Sequence, residues 1–272
     1  MKLIVDNLKT KAVVGGSDNL LDFDLMETLR DYLKVRPKGY NYSPKYKKHV
    51  WDGYIRFISP KGEFATGFLP LVCNYLRDLG VEIVIVDLRE NIPVLKKERT
   101  NVVGTVDGVD WIAEGKFQYQ FDAINTVDKY VEGIYFPRGI LDFATNAGKN
   151  SVATLFFKNI EMPDGSPCSW IFMVSSELIY KQAVEFFQQC IPDEEIGEIN
   201  SRKYNPKRIT VCMVKTLLSK AKSSINVVAW MGGINGLIVD ESDEAGAKDY
   251  SKCLSYINAP MKIFVSKTLT VS

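Results

Sequence analysis

The residues best suited to chemistry lie where an apolar run ends in a loop of small residues. Residues 140–143 form that run, residues 144–148 form the loop, and a helical pattern over 151–157 follows Lys149. A strand, exposed backbone amides, a lysine and a helix N-terminus together make a site for a polyphosphate. The position after the lysine, where Ser or Thr would hold Mg²⁺, is Asn150. The alternative is an ordinary surface lysine after a strand–helix turn.

A second candidate site is the acidic end of the apolar run Gly236–Val239, where Asp240 and Glu241 follow. In a nucleotide site, the first carboxylate binds Mg²⁺ through water, and the second orients or deprotonates the attacking water. An acidic strand end can also be a helix N-cap. Together, the phosphate loop (residues 144–149) and this strand end predict nucleotide binding.

The most unusual local composition is the basic loop, residues 34–51, which has six cations and no acidic residue. Four aromatic residues are interleaved among them, and two prolines favour a loop over a helix. Cations for phosphates and flat rings for sugars or bases suit a nucleic-acid surface. A solvated loop whose tyrosines pack on the domain explains the composition equally well.

Composition excludes several classes of protein. The net charge of +1 gives no global sign of a polyanionic partner, and a single histidine, His49, makes a zinc site or a Ser-His-Asp enzyme improbable. Five scattered cysteines, with no C-x-x-C pair, predict a reducing compartment. No apolar run approaches the length of a membrane span, so we expect a cytoplasmic protein without a membrane partner.

The secondary-structure elements that must position these residues follow two different patterns along the chain. We predict a small α+β domain over 1–90, a connector over 91–115, and an α/β domain over 116–272 with a parallel sheet flanked by helices. Ligands should bind at the carboxyl ends of its strands. In the first domain we predict strands within 1–14, at 54–58 and at 81–86, and helices at 19–34 and 68–79. In the last we predict strands at 138–143, 169–174, 208–214, 236–239 and 261–265, and helices at 118–132, 150–160, 177–190, 216–223 and 245–257.

The order of further motifs resembles superfamily 2 helicases of the DEAD/DEAH kind, which implies a RecA-like lobe. Residues 117–124 resemble the segment that binds adenine, with Gln120 as the matching glutamine. Residues 174–182 and 214–217 are similar to the two strand-contact motifs. The tetrapeptide 240–243 fits D-E-x-D. Residues 266–268 occupy the motif that couples ATP state to DNA grip, with Ser266 and Thr268 as its matching residues.

The basic loop and the segment after it, 51–56, resemble the small DNA-binding domain of UvsW-like phage helicases. The resemblance implies ATP, Mg²⁺ and DNA, branched or duplex, as ligands, with a second helicase lobe or replication and recombination proteins as partners. It also implies the cytoplasm of the bacterial host, if the chain is encoded by a phage. Lys149 and Glu241 would be catalytic, and Asp240 would hold the metal. The expected ATP-binding residues are Gln120, Thr145, Asn146, Ala147, Gly148, Lys149, Asn150 and Ser151. The expected DNA-binding residues are Lys38, Tyr40, Lys45, Lys47, Lys48, Trp51 and Arg56.

Three departures leave activity open. Asn150 weakens the Mg²⁺ site, Lys267 replaces a small residue of the coupling motif, and Lys215 stands where glutamine is common. The second RecA-like lobe, which would complete the ATP cleft, is not among these residues, so we expect no unwinding by this chain alone. It is then either a portion of a longer helicase or a shortened pseudo-ATPase that binds DNA or regulates a partner. A scaffold that binds neither ligand is the third possibility.

Overall fold

The structure, a computed structural model, describes residues 1–14, 20–144, 147–241 and 248–266. It divides into two compact units, one of residues 1–89 and 131–134, the other of residues 90–130 and 135–272. Among the described residues, no helix combines the length and the apolar character needed to cross a membrane.

The N-terminal unit is built on a four-stranded sheet in the order β5-β2-β1-β6, in which only the β1–β6 pair is parallel. Side chains of Leu3 and Val5 on alternate positions of β1 are fully buried, as the period of a strand requires. The elements of this unit are β1 (Lys2–Val5), β2 (Lys9–Val13), α1 (Leu20–Tyr32), β3 (Lys34–Val35), α2 (Pro44–Lys47), β4 (Ile55–Arg56), β5 (Glu63–Ala65), α3 (Leu69–Asp78) and β6 (Val84–Asp87).

The C-terminal unit begins with a segment that we predicted as a connector. Here β7 (Val94–Leu95) pairs with β13 (Ile160–Glu161), and β8 (Val102–Val106) forms a hairpin with β9 (Val109–Ile112). The ammonium group of Lys158 donates to the carbonyl of Val103 at 2.8 Å, which ties β8 to the helix that carries this lysine.

The main sheet of this unit has seven strands in the order β12-β19-β18-β14-β17-β15-β16, parallel except for the last pair. This arrangement confirms the predicted RecA-like α/β class. Its strands are β12 (Arg138–Asp142), β14 (Trp170–Val174), β15 (Gly197–Ile199), β16 (Tyr204–Asn205), β17 (Ile209–Met213), β18 (Gly236–Val239) and β19 (Met261–Ser266). The helices of this unit are α4 (Gln118–Asn125), α5 (Lys149–Asn159), α6 (Glu177–Cys190), α7 (Val214–Ser223), α8 (Ile225–Gly232) and α9 (Lys248–Leu254). The two short strands β10 (Tyr130–Val131) and β11 (Ile134–Tyr135) flank residues 132 and 133, and their residues 131 and 134 belong to the N-terminal unit.

A layer of helices covers each face of this sheet, and β14 shows why. All five of its residues are buried; Trp170, Phe172 and Val174 face one apolar cluster, whereas Ile171 and Met173 face the other. Because both faces of a strand in the middle of a parallel sheet are buried, its sequence is a continuous apolar run.

Some predicted elements were wrong. The helix predicted over 118–132 ends at Asn125, and the predicted range instead continues into β10 and a turn in which Glu132 and Gly133 adopt positive φ angles of 48° and 81°. The basic loop, predicted to have no helix, contains the single turn α2. The strand predicted over 54–58 is only the two residues of β4, and α8, β5, β15 and β16 were missed.

Candidate nucleotide site and nucleic-acid interface

The phosphate loop is held by α4. Gly148 caps α5 with a φ of 82°, and a Cβ atom at this position would lie 2.3 Å from Nε2 of Gln120. The carbonyl of Ala147 accepts hydrogen bonds from the Tyr119 hydroxyl (2.7 Å) and from Gln120 Nε2 (3.0 Å). Only glycine therefore allows the loop to approach Gln120 this closely.

The strongest feature of the site is an ion pair between the phosphate loop and the acidic strand end. Nζ of Lys149 lies 2.9 Å from Oδ1 of Asp240, and these side chains are 15% and 5% exposed. The backbone N–H of Asp240 donates to the carbonyl of Met173 at 2.9 Å, which fixes the strand end against β14. Two residues distant in the chain thus meet at the carboxyl edge of the sheet, as expected from the topology.

Glu241 has a partner that the sequence did not indicate. Its carboxylate accepts a hydrogen bond from the Ser175 hydroxyl at 2.5 Å, and its own φ is 55°. Ser175 directly follows β14, and Ser176 then caps α6 by accepting from the N–H of Ile179. Ser175 and Glu241 lie close together because they follow neighbouring strands of the sheet. The strand order was therefore the only signal from which this contact could have been predicted.

Two buried polar atoms beside the phosphate loop have no partner among the described residues: the hydroxyl of Ser151 and Oε1 of Gln120. These residues are 1% and 2% exposed. Buried polar groups are normally hydrogen-bonded, so unpaired ones at a loop indicate a water, an ion or a ligand. Asn150, by contrast, is only partly buried. The buried hydroxyl next to the loop therefore belongs to Ser151, one residue after the position expected from the motif.

The Asp240 carboxylate and the Ser151 hydroxyl are oxygen donors of the kinds that bind a hard cation such as Mg²⁺ beside a phosphate. Of the other predicted site residues, Ser266 ends β19, is fully buried, and is in register with Asp142 of the strand that leads into the phosphate loop. Thr145, Asn146, Lys267, Asp243 and Thr268 lie outside the described residues.

Most of the basic loop connects β3 to β4, and its conformation is held by contacts between aromatic rings and a guanidinium group. The Arg36 guanidinium lies 4.2 Å from the Tyr54 ring centroid and 4.7 Å from that of Tyr40. The Tyr40 ring in turn meets the edge of Tyr46, with centroids 4.8 Å apart. Because the three tyrosine rings contact one another or the same guanidinium, they mainly hold the loop together.

The predicted DNA-binding residues therefore divide into two groups. Trp51 donates from Nε1 to the Tyr54 carbonyl at 2.7 Å, and Arg56 lies 2.6 Å from Asp52. The Tyr54 N–H and the Arg56 guanidinium together hold the pKa of Asp52 below its ordinary value. The second group comprises lysines of the loop that are largely open to solvent, and three of them make no ion pair within the described parts of the chain: Lys45, Lys47 and Lys48. Lys38 lies at the start of the same loop.

Comparison with family models gives two matches. The model for the type III restriction enzyme, res subunit (ResIII) matches residues 116–270. The model for the N-terminal domain of DNA helicase UvsW matches residues 18–87. A search of curated protein sequences finds no match.

Solved structures share the fold. The UvsW helicase from bacteriophage T4 aligns with a TM-score of 0.72 and 17% identity, over 99% of this chain and 93% of that one. A second crystal structure of T4 UvsW aligns with a TM-score of 0.71 and 17% identity, over 98% of this chain. The chain spans 52% of that second structure's length. The ResIII model covers more than half of the residues, so the chain belongs to the ResIII family, and it has the UvsW-like fold of superfamily 2 helicases.

Proposed function

We propose that this chain is the DNA-binding and ATP-binding portion of a UvsW-like superfamily 2 helicase. The observation that carries the proposal is the largely buried Lys149–Asp240 ion pair at the carboxyl edge of the parallel sheet. Bound phosphates would pair with this lysine, and a bound divalent cation would pair with this carboxylate. The two ligands would together replace the 2.9 Å ion pair. A surface lysine after an ordinary turn would instead lie in solvent.

In this proposal Lys149 and the N–H groups of residues 145–149 hold the phosphates of ATP, and Asp240 holds Mg²⁺. Gln120 binds adenine, since its Oε1 atom is an unused acceptor in the described structure. Bound Mg²⁺ would supply charge neutralisation at the phosphates. Glu241 orients the attacking water after its carboxylate leaves the Ser175 hydroxyl, and Ser266 and Thr268 link the site to DNA.

The alternative is a pseudo-ATPase that binds DNA or regulates a partner, and Asn150 is the observation that favours it. Ser151 weakens that alternative, because its buried, unpaired hydroxyl can supply the missing oxygen. DNA-stimulated ATPase activity should be measured for the unmodified chain, Asn150→Thr and Ser151→Ala. Turnover by the unmodified chain that Ser151→Ala abolishes supports the helicase portion. No turnover, with no Mg²⁺-dependent nucleotide binding in Asn150→Thr, supports the pseudo-ATPase.

DNA binding is tested separately at the basic loop. Lys47→Glu/Lys48→Glu should weaken binding of a fluorescent duplex and make its salt dependence shallower, because phosphate contacts release counterions. A matched charge reversal, Lys2→Glu/Lys11→Glu, alters exposed lysines of β1 and β2 and should have a smaller effect. Equal effects of the two variants would count against the basic loop as the DNA surface.

The finer parts of the proposal concern substrate and partners. We expect branched or duplex DNA as substrate, with a second helicase lobe or replication and recombination proteins as partners. Strand separation depends on two lobes closing over ATP, and the C-terminal unit corresponds to one of them. A strand-separation assay on a forked duplex should therefore show no unwinding by these 272 residues alone.

A further inference from the structure

A second basic region lies in the C-terminal unit, far from the basic loop in sequence. Residues 199–239 contain seven lysines and arginines and no aspartate or glutamate, although the net charge of the whole chain is +1. Such a local excess of one sign creates a field that attracts polyanions.

Three of these seven cations are neutralised by glutamates just before the region. Lys203 lies 2.8 Å from Glu198, Lys207 lies 2.7 Å from Glu195, and Arg208 pairs with Glu194. The other four make no ion pair within the described residues; they are Arg202, Lys215, Lys220 and Lys222. The positive charge of this region that no glutamate neutralises is therefore carried by these four residues.

The fold gathers this set on one helix and one hairpin. Helix α7 buries Leu217, Leu218 and Ala221, so its lysines occupy the solvent side. The β15–β16 hairpin carries Arg202 in its turn and Tyr204 on its outer strand. Nζ of Lys220 lies 5.4 Å from the Tyr204 ring centroid, which joins helix and hairpin into one surface.

The hairpin also belongs to the sheet that carries the nucleotide site. Tyr204 pairs with Ile199, and Ile199 pairs with Cys212 near the carboxyl end of β17, after which α7 begins. We define the hairpin–helix surface as Arg202, Tyr204, Lys215, Lys220 and Lys222.

We propose that the hairpin–helix surface binds the sugar–phosphate backbone of DNA as a second DNA-contact surface, which rests on the proposed function and, apart from Lys215, adds residues outside the predicted helicase motifs. Lysine, arginine and hydroxyl groups are the usual phosphate donors, and Thr216 and Ser219 lie between the lysines of α7. The Tyr204 ring, 41% exposed, offers a flat face for a sugar or base. A protein partner would instead need buried apolar anchors.

The test compares two variants of the full chain that each remove three charges. Arg202→Gln/Lys220→Gln/Lys222→Gln alters the surface but leaves Lys215, which belongs to a predicted strand-contact motif. The control is Lys97→Gln/Lys116→Gln/Lys129→Gln, at exposed lysines elsewhere in the same unit. The affinity for a fluorescein-labelled duplex is measured across a salt series, and thermal unfolding confirms that both variants fold.

If all three side chains contact phosphates, the surface variant should reduce the slope of log affinity against log salt by about 2.7, at about 0.9 per contact. The control should retain the slope of the unmodified chain. Equal slopes for the two variants would overturn this surface while leaving the proposed function intact. An unmodified chain that binds no duplex would overturn both. Displacement of the duplex by poly-glutamate as effectively as by unlabelled duplex would assign the surface to an acidic protein instead.

Discussion

The Lys149–Asp240 ion pair makes a quantitative prediction about stability. Lys149→Met leaves the Asp240 carboxylate, whose side chain is 5% exposed, without its counter-charge. Breaking a buried pair by removing one partner costs about 3–5 kcal/mol. The Lys149 side chain is 15% exposed and thus partly solvated, so we expect the lower end, about 3 kcal/mol.

The assay is a double-mutant cycle with Asp240→Asn, read by urea denaturation of the C-terminal unit within the full chain. Asp240→Asn should cost less than Lys149→Met, because the long lysine side chain can turn its ammonium group toward water. The double variant should be more stable than the sum of the single effects predicts, by a coupling free energy of about 2 kcal/mol. In thermal scans, Lys149→Met should lower Tm by roughly 6–12 °C for a unit of this size.

The matched control is the exposed pair Glu177–Lys181 on α6, at 3.3 Å with side chains 72% and 65% exposed. Its coupling free energy in the same cycle should be about 0.5 kcal/mol or less. If the Lys149 and Asp240 effects simply add, the two side chains do not interact in solution. The structural reason for a phosphate site would then be lost.

Three further predictions concern backbone geometry and pH. Gly148→Ala should lower the unfolding free energy by about 1–3 kcal/mol, because its φ is 82° and the new Cβ would clash with Gln120; Gly139→Ala, with open space around it, is the control in urea denaturation. Gly53→Ala should weaken duplex binding in fluorescence titration, since φ is 85° and a Cβ would lie 2.8 Å from the Tyr40 ring, whereas Gly67→Ala should not. Burial, with nearby Arg138, lowers the pKa of Lys262 to about 7. The unfolded chain then binds more protons between about pH 7 and 10.5, so this lysine should make stability rise there by up to about 1.4 kcal/mol per pH unit. In pH-dependent urea unfolding, Lys262→Met should lose that rise, and an unchanged slope would contradict the assigned cause.

The sequence predicted the C-terminal unit better than the N-terminal one. A short, continuous apolar run between two helical patterns, such as Trp170–Val174, is typical of a buried parallel strand. Such strands can therefore be predicted from the sequence. The two-residue strand β3 has no such signal, and β4 is shorter than the strand predicted at 54–58, because β3 and β4 form only where they pair with each other. The turn at Glu132 and Gly133 was missed for a similar reason. The helical pattern over 118–132 likewise did not show that the helix ends at Asn125.

By itself, the sequence determined the family, the parallel α/β lobe, and the residue types of the phosphate loop and acidic strand end. Those properties depend on local order and periodicity, which a single chain records directly. The tertiary structure alone decided that Lys149 meets Asp240, that Glu241 meets Ser175, and that the unpaired hydroxyl belongs to Ser151. The tertiary structure also showed which residues of the basic loop are exposed lysines and which are aromatic rings that hold the loop together. Contacts between distant strand ends depend on sheet order, and burial depends on packing, neither of which local spacing contains.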